Sequence, residues 1–119
     1  MKVFKIRDAN GLYSTGGTEP EFTQGGKVWN NIGHVKSHLR QFVDRTCKYL
    51  EVYVNAEVVT IEYTEKEMSS ESVLDVVENL NKEDISRAEK SKQSWNTKDL
   101  EEVRDAIGYI KYKRDKNEI

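Results

Sequence analysis

The sequence predicts an α+β fold in which a small antiparallel sheet packs on one helix, followed by a helical C-terminal region. Residues 2–7 and 57–64 alternate apolar and polar side chains, the period of a half-buried strand. Residues 31–44 and the segment after residue 70 instead repeat apolar residues every three or four positions, as an amphipathic helix does. Strands followed by a run of helices indicate the α+β class.

Turn residues separate the first predicted strands. These strands are expected near residues 2–7, 12–14 and 27–29. Asn10-Gly11 suits a tight hairpin between the first two, because both residues tolerate a positive φ. Between Gly16 and Gly26 we expect a loop that is anchored by Pro20 and by burial of Phe22.

One helix is predicted at about residues 31–44, capped by Asn30 or Asn31. Its apolar stripe consists of Ile32, Val35, Leu39, Phe42 and Val43. The helix could end near residue 44 or continue to near residue 49. Alternation at residues 50–54 allows a further strand before the one at 57–64.

A change of composition after Thr64 suggests a domain organisation. We expect an α+β core domain at residues 1–64, a polar connector at 65–69 and a helical region at 70–119. In that region Asn81 resembles a second helix cap. The helical region is expected to pack on the core or on a partner.

Charge and composition limit the classes of function. The net charge of −2 argues against wrapping of nucleic acid by the whole surface. Residues 1–50 carry 8 basic and 4 acidic side chains, whereas residues 51–119 carry 11 and 17. Such polarity can steer a charged partner or support a homodimer. The single Cys47 excludes an internal disulfide, and no apolar segment approaches the ~20 residues that span a bilayer, so we expect a cytoplasmic protein without a membrane partner.

The residues that could carry chemistry form no recognisable active site. His34 and His38 are four residues apart on one side of the predicted helix, but a catalytic zinc site needs a third protein ligand. We therefore predict no metal, no cofactor and no catalytic residues. Surface or boundary histidines explain the pair more simply.

Two groups of residues are candidate binding sites. Glycine-flanked backbone can hold an anion, so the first candidate set is Ser14, Thr15, Gly16, Gly17 and Lys27. Its spacing fits neither a P-loop nor a dinucleotide-binding turn, which favours a structural role in turns. The second set is a basic helix face formed by Lys36, Arg40, Arg45 and Lys48. An ordinary solvated helix face is the competing explanation for it.

Six short segments carry a resemblance to a known group of proteins. They are Lys2-Val-Phe-Lys-Ile-Arg, Gly11-Leu-Tyr-Ser-Thr-Gly-Gly, Pro20-Glu-Phe, Gly26-Lys-Val-Trp, Val35-Lys-x-His38-Leu39 and Glu57-Val-Val-Thr-Ile-Glu-Tyr. Over residues 1–64 the chain resembles small accessory proteins of tailed bacteriophages. This resemblance implies a phage protein that acts in the host cytoplasm, and it assigns no functional residue.

Three functions follow as expectations. The leading one is a non-enzymatic phage protein that binds a host protein, for host takeover or inhibition of a defence system. The second is a nucleic-acid-associated protein that uses the basic helix face. The third is capture of a small ligand or anion by the glycine loop.

Overall fold

A computed structural model describes residues 2–43, 48–62, 66–90 and 94–117, with no side-chain description at 48–49 and 94–98. The elements, in chain order, are strands β1 Lys2–Arg7, β2 Tyr13–Ser14 and β3 Phe22–Thr23, helix α1 Ile32–Arg40, a 3-10 helix Lys48–Tyr53, strands β4 Glu57–Glu62 and β5 Glu67–Ser72, and helices α2 Val73–Lys90 and α3 Ser94–Asp115. The α+β class is confirmed.

The five strands form one antiparallel sheet in the order β3-β2-β1-β4-β5. β1 and β4 pair over their full length, with Arg7 opposite Glu57. The Arg7 guanidinium bonds Glu57 across this pair and also reaches Glu67 on β5. The bonds to these carboxylates raise the pKa of Arg7, and the Arg7 guanidinium lowers the pKa of Glu67.

The strand predicted at 27–29 is wrong. Only Trp29 pairs there, exchanging two backbone hydrogen bonds with Phe4 (2.7 and 2.9 Å) as an isolated bridge. The third strand is instead β3, inside the segment predicted as loop. Phe22 is half-buried there, and its ring meets Tyr53 edge-on at 6.0 Å.

The strand suggested at residues 50–54 is also wrong, because this segment belongs to the 3-10 helix. With three residues per turn, positions i and i+3 share a face. Leu50 and Tyr53 therefore both lie in the core, whereas Val52 is exposed. A three-residue period and strict alternation are difficult to separate over so short a segment.

The predicted connector at 65–69 and the first residues of the predicted helical region contain a fifth strand. β5 is almost entirely exposed and pairs with β4 at the sheet edge. Its sequence, Glu-Met-Ser-Ser-Glu-Ser, lacks an apolar face, so no alternation signals it. The division into two domains stays a prediction.

Helix α1 begins as expected, with Asn31 as its cap: the Asn31 side-chain oxygen accepts from Gly33 N at 2.6 Å. The helix ends at Arg40, short of the predicted 44, and residues 44–47 lie outside the described part of the chain. Val35 and Leu39 are buried as predicted. Ile32, expected in the same stripe, is exposed.

Helices α2 and α3 pack against each other, and α2 also contacts α1. Asn81 caps nothing, because it lies inside α2. Its buried side chain instead donates to the Leu100 carbonyl of α3 at 3.0 Å. Lys111 of α3 bonds Asp75 and Glu78 of α2, and the Asp75 contact is the main cause that raises the pKa of Lys111.

One hydrophobic cluster joins the sheet and the helices. It contains Ile6 of β1, Val35 and Leu39 of α1, Val77 of α2 and Ile107 of α3, with many further apolar side chains between them. The two C-terminal helices therefore bury their apolar faces on the remainder of the chain, as amphipathic helices require.

Candidate binding groove

An open groove of about 450 Å³ lies between α1 and the segment that precedes it. Its lining includes Gly17, Lys27, Trp29, His34, Ser37 and His38. We call this feature the α1 groove. It brings together both histidines and two members of the glycine-loop set, which the sequence left as separate hypotheses.

Local structure places the two walls of the groove. The Phe4–Trp29 bridge attaches the Lys27–Trp29 segment to the edge of β1, and the Asn31 cap starts α1 two residues later. His34 and His38 are one helical turn apart, so both side chains face the same wall. His34 is exposed, whereas His38 is 5% exposed.

His38 is the end of a buried chain of hydrogen bonds. Its Nε2 lies 2.7 Å from the Tyr53 hydroxyl, which lies 2.6 Å from the Ser14 hydroxyl. Ser14 Oγ in turn accepts from Gly16 N at 3.1 Å. Ser14 and Tyr53 are fully buried, so this chain connects β2, α1 and the 3-10 helix through the protein interior.

The protonation states follow from the environment. Burial, and to a lesser extent the charge of Lys27, lower the pKa of His38, so its ring is neutral at pH 7. Burial raises the pKa of Tyr53 to about 12, so the phenol keeps its proton. Ser14 Oγ accepts from Gly16 N, and among the described residues its own hydrogen can reach an acceptor only at the Tyr53 oxygen. We therefore assign Ser14 as donor to Tyr53 and Tyr53 as donor to His38 Nε2, which places the hydrogen of the neutral His38 ring on Nδ1.

Aromatic rings hold the imidazole in place. The His38 ring centroid lies 5.4 Å from that of Trp29 and 5.1 Å from that of Phe42, and Phe42 also meets Tyr53 edge-on. The Lys27 ammonium lies 5.4 Å from the indole centroid of Trp29. These contacts restrict the rotamers of His38 and fix the direction of its ring nitrogens.

The five glycine-loop candidates divide into two groups. Ser14, Thr15 and Gly16 satisfy one another and their neighbours: the Thr15 hydroxyl accepts from Glu21 N, and Gly16 is buried. Only Gly17 and Lys27 line the α1 groove. The candidate groups for anion binding are therefore the Lys27 side chain and α1, and not the backbone of the loop.

The basic-face candidates are not gathered into one free surface. Arg40 forms a two-oxygen contact with Asp84 of α2 at 2.9 and 3.1 Å. Lys36 lines a different groove that also contains Glu71 and Glu83. Arg45 and the side chain of Lys48 lie outside the described residues.

Within the described ranges, no group of three or more His, Cys, Asp or Glu side chains could hold a metal ion. Likewise, none of the helices found in those ranges is both long enough and apolar enough to cross a membrane.

Tyr53 is the site residue that sequence reasoning missed. It is 15 residues from His38 and 39 from Ser14, so no local spacing connects the three. The strand suggested at 50–54 also gave no reason to place Tyr53 beside His38 and Ser14. The only available signal was the three-residue spacing of Leu50 and Tyr53, which is the period of the 3-10 helix.

The fold and the groove together define an α+β protein with an open cleft beside its first helix. Comparison with protein-family models, with curated proteins and with solved structures found no match.

Proposed function

We propose that the chain is a non-enzymatic accessory protein of a tailed bacteriophage that acts in the host cytoplasm by binding a host protein through the α1 groove. The observation that carries this proposal is the exposure of two large apolar side chains, Val28 in the lining of the groove and Ile32 at the start of α1. Val28 is 47% and Ile32 39% exposed, although the Trp29 between them is buried. Single exposed apolar residues are common, but apolar residues around a cleft are typical of interaction sites.

The state of the polar groups supports binding rather than catalysis. The Ser14 and Tyr53 hydroxyls are fully buried and bonded to each other, so neither is accessible for attack on a substrate. His38 already accepts a hydrogen bond at Nε2, the nitrogen that faces Tyr53. A general base would need that lone pair free or able to reach a substrate proton. The phage origin rests on the resemblance over residues 1–64.

Affinity purification from expressing bacteria tests the proposal. Wild type, Val28→Ser and Val52→Ser are compared as baits. Val52 is a matched control, because it is 40% exposed but lies on the 3-10 helix. We expect one host protein to be retained by wild type and by the control, and to be at least about tenfold depleted with Val28→Ser. A wild-type bait that retains no host partner, or equal retention by both variants, would refute the proposal.

A second candidate, association with single-stranded nucleic acid, is favoured by the C-terminal half of α3. Tyr109 and Tyr112 are 62% and 55% exposed, and Lys113 and Lys116 lie over their respective rings at 5.5 and 5.8 Å. Exposed aromatic rings beside cations are the elements on which bases stack and phosphates bind. This surface replaces Arg40, which is paired with Asp84, as the starting point for the nucleic-acid hypothesis.

Fluorescence anisotropy with a labelled single strand tests the second candidate. Binding should weaken steeply with salt, because released counterions drive it, and substitution of either tyrosine by alanine should weaken it several-fold. Arg87→Gln is the control, since it removes an exposed charge from α2. Absence of binding at low salt would eliminate this function.

A further inference from the structure

The lining of the α1 groove is positively charged. Lys27 contributes an ammonium group, and none of the described lining residues is acidic. Among the described residues Lys27 has no carboxylate partner, and its ammonium lies over the face of Trp29. Lys27 is exposed, so its three N–H donors are hydrated in the free protein and are accessible to an anion that enters the groove.

Neutral donors lie on the opposite wall. Ser37 and Gln41 line the groove one turn apart on α1, and His38 lies between them in the same lining. Because Nε2 of His38 accepts from Tyr53, the remaining ring hydrogen is on Nδ1. Nδ1 makes no hydrogen bond with any residue in the described ranges, so this N–H is a donor that the groove can use.

The buried chain explains how that donor is maintained. With the donors assigned above, Gly16 N, the Ser14 hydroxyl and the Tyr53 hydroxyl each donate to the next group, so the hydrogens of the chain point toward the imidazole. A chain with one direction is polarised cooperatively. Reversal of the chain would leave the Ser14 hydroxyl hydrogen without an acceptor among the described residues, which disfavours the opposite tautomer.

We propose that the α1 groove binds one oxyanion group, a carboxylate or a phosphate, with Lys27 as its counter-charge and the His38 Nδ1–H as a positioned donor. The inference rests on the proposed function, since the oxyanion would be carried by the bound partner. Charge-assisted hydrogen bonds of this kind are shorter and stronger than neutral ones. Tyr53 and Ser14 are positioning residues in this site: they orient His38 and do not touch the anion.

NMR titration of the purified protein tests the site directly, with inorganic phosphate and with acetate at constant ionic strength. Wild type, Lys27→Gln and Lys82→Gln are compared. Lys82 is the control, because its side chain is 65% exposed on α2 and it lies outside the groove lining. We expect saturable shifts at the groove residues in wild type and Lys82→Gln, and affinity reduced at least about tenfold by Lys27→Gln.

A second readout separates binding from a structural effect of the substitution. The groups near His38 are Lys27, His34, Tyr53 and Ser14, and the Lys27 charge is one cause of its lowered pKa. A bound anion offsets that charge, so the protonation midpoint of the His38 ring should rise when phosphate is added. Lys27→Gln should remove this response, whereas Lys82→Gln should keep it.

The outcomes distinguish the two proposals. Shifts that do not saturate, or that persist unchanged in Lys27→Gln, would overturn the oxyanion site even if a host protein is retained through Val28. Saturable phosphate or acetate binding without any retained host protein would support the site and refute the proposed function. Binding of phosphate alone would assign the site to phosphate, and binding of both anions would support a carboxylate-bearing partner as well.

Discussion

Removal of the Tyr53 hydroxyl tests whether the buried hydrogen-bond chain stabilises the fold. Tyr53→Phe retains the ring and its edge-on contacts with Phe22 and Phe42, and deletes only the atom that lies 2.6 Å from Ser14 and 2.7 Å from His38. The change therefore isolates the polar contribution from the packing contribution.

The expected loss of stability follows from the hydrogen bonds that His38 and Ser14 lose. His38 Nε2 becomes a buried acceptor without a donor, which costs about 1–3 kcal/mol, and Ser14 loses one neutral hydrogen bond, worth about 0.5–1.5 kcal/mol. The free energy of unfolding should therefore fall by about 1.5–4.5 kcal/mol. Because the ring still fills its site, no cavity adds to the loss.

Urea denaturation at pH 7 followed by tryptophan fluorescence measures this free energy. The midpoint should fall, and the dependence on urea concentration should remain as in wild type, because the surface exposed on unfolding hardly changes. Tyr109→Phe is the control: its side chain is 62% exposed, so we expect a change within about 0.5 kcal/mol. If Tyr53→Phe is no more destabilising than this control, the hydrogen-bond chain does not exist as described.

Three further predictions concern stability. Because burial lowers the pKa of His38 in the folded state, the unfolded chain binds more protons below about pH 6.5. Stability is therefore complete above that pH and falls as the pH decreases toward the folded-state pKa, by at most about 1.4 kcal/mol per pH unit, and urea midpoints across this range check it. Gly26→Ala should cost at least about 2 kcal/mol by the same assay, because φ is +60° and the new Cβ would lie 2.4 Å from a carbon of β2, whereas Gly25→Ala, with open space, should be nearly neutral. Asn81→Ala should cost about 1–2 kcal/mol through loss of the α2–α3 hydrogen bond, and retention of wild-type thermal stability would contradict that role.

The local sequence pattern was sufficient to predict the elements that bury one face. Alternation of Phe4 and Ile6 identified β1, and the same signal identified β4. The three- and four-residue spacing of Val35 and Leu39 identified α1, and Asn31 has the side chain that a helix cap requires. In each case the local sequence and the burial demanded by the core agree, which is why these predictions succeeded.

The local sequence pattern did not predict the elements that are stabilised by a partner far away in the chain. β5 has no buried face and exists because β4 offers it a backbone to pair with. Trp29 bridges to Phe4, and β2 pairs with β1 only at Arg7. At residues 50–54 the apolar residues follow the three-residue period of a 3-10 helix and not the two-residue alternation predicted for a strand. Pairing partners far apart in the chain leave no trace in a short window of sequence.

The sequence by itself determined the α+β class, the first strand, an asparagine cap for α1 and the presence of amphipathic C-terminal helices, because each depends on neighbours a few residues away. Tertiary structure decided that Lys27, His34 and His38 share one groove, and that Tyr53 holds the His38 ring from inside the core. These contacts join β2, α1 and the 3-10 helix across as many as 39 residues of chain. Hydrogen bonds over such separations depend on how the elements pack, and packing is a property of the whole fold.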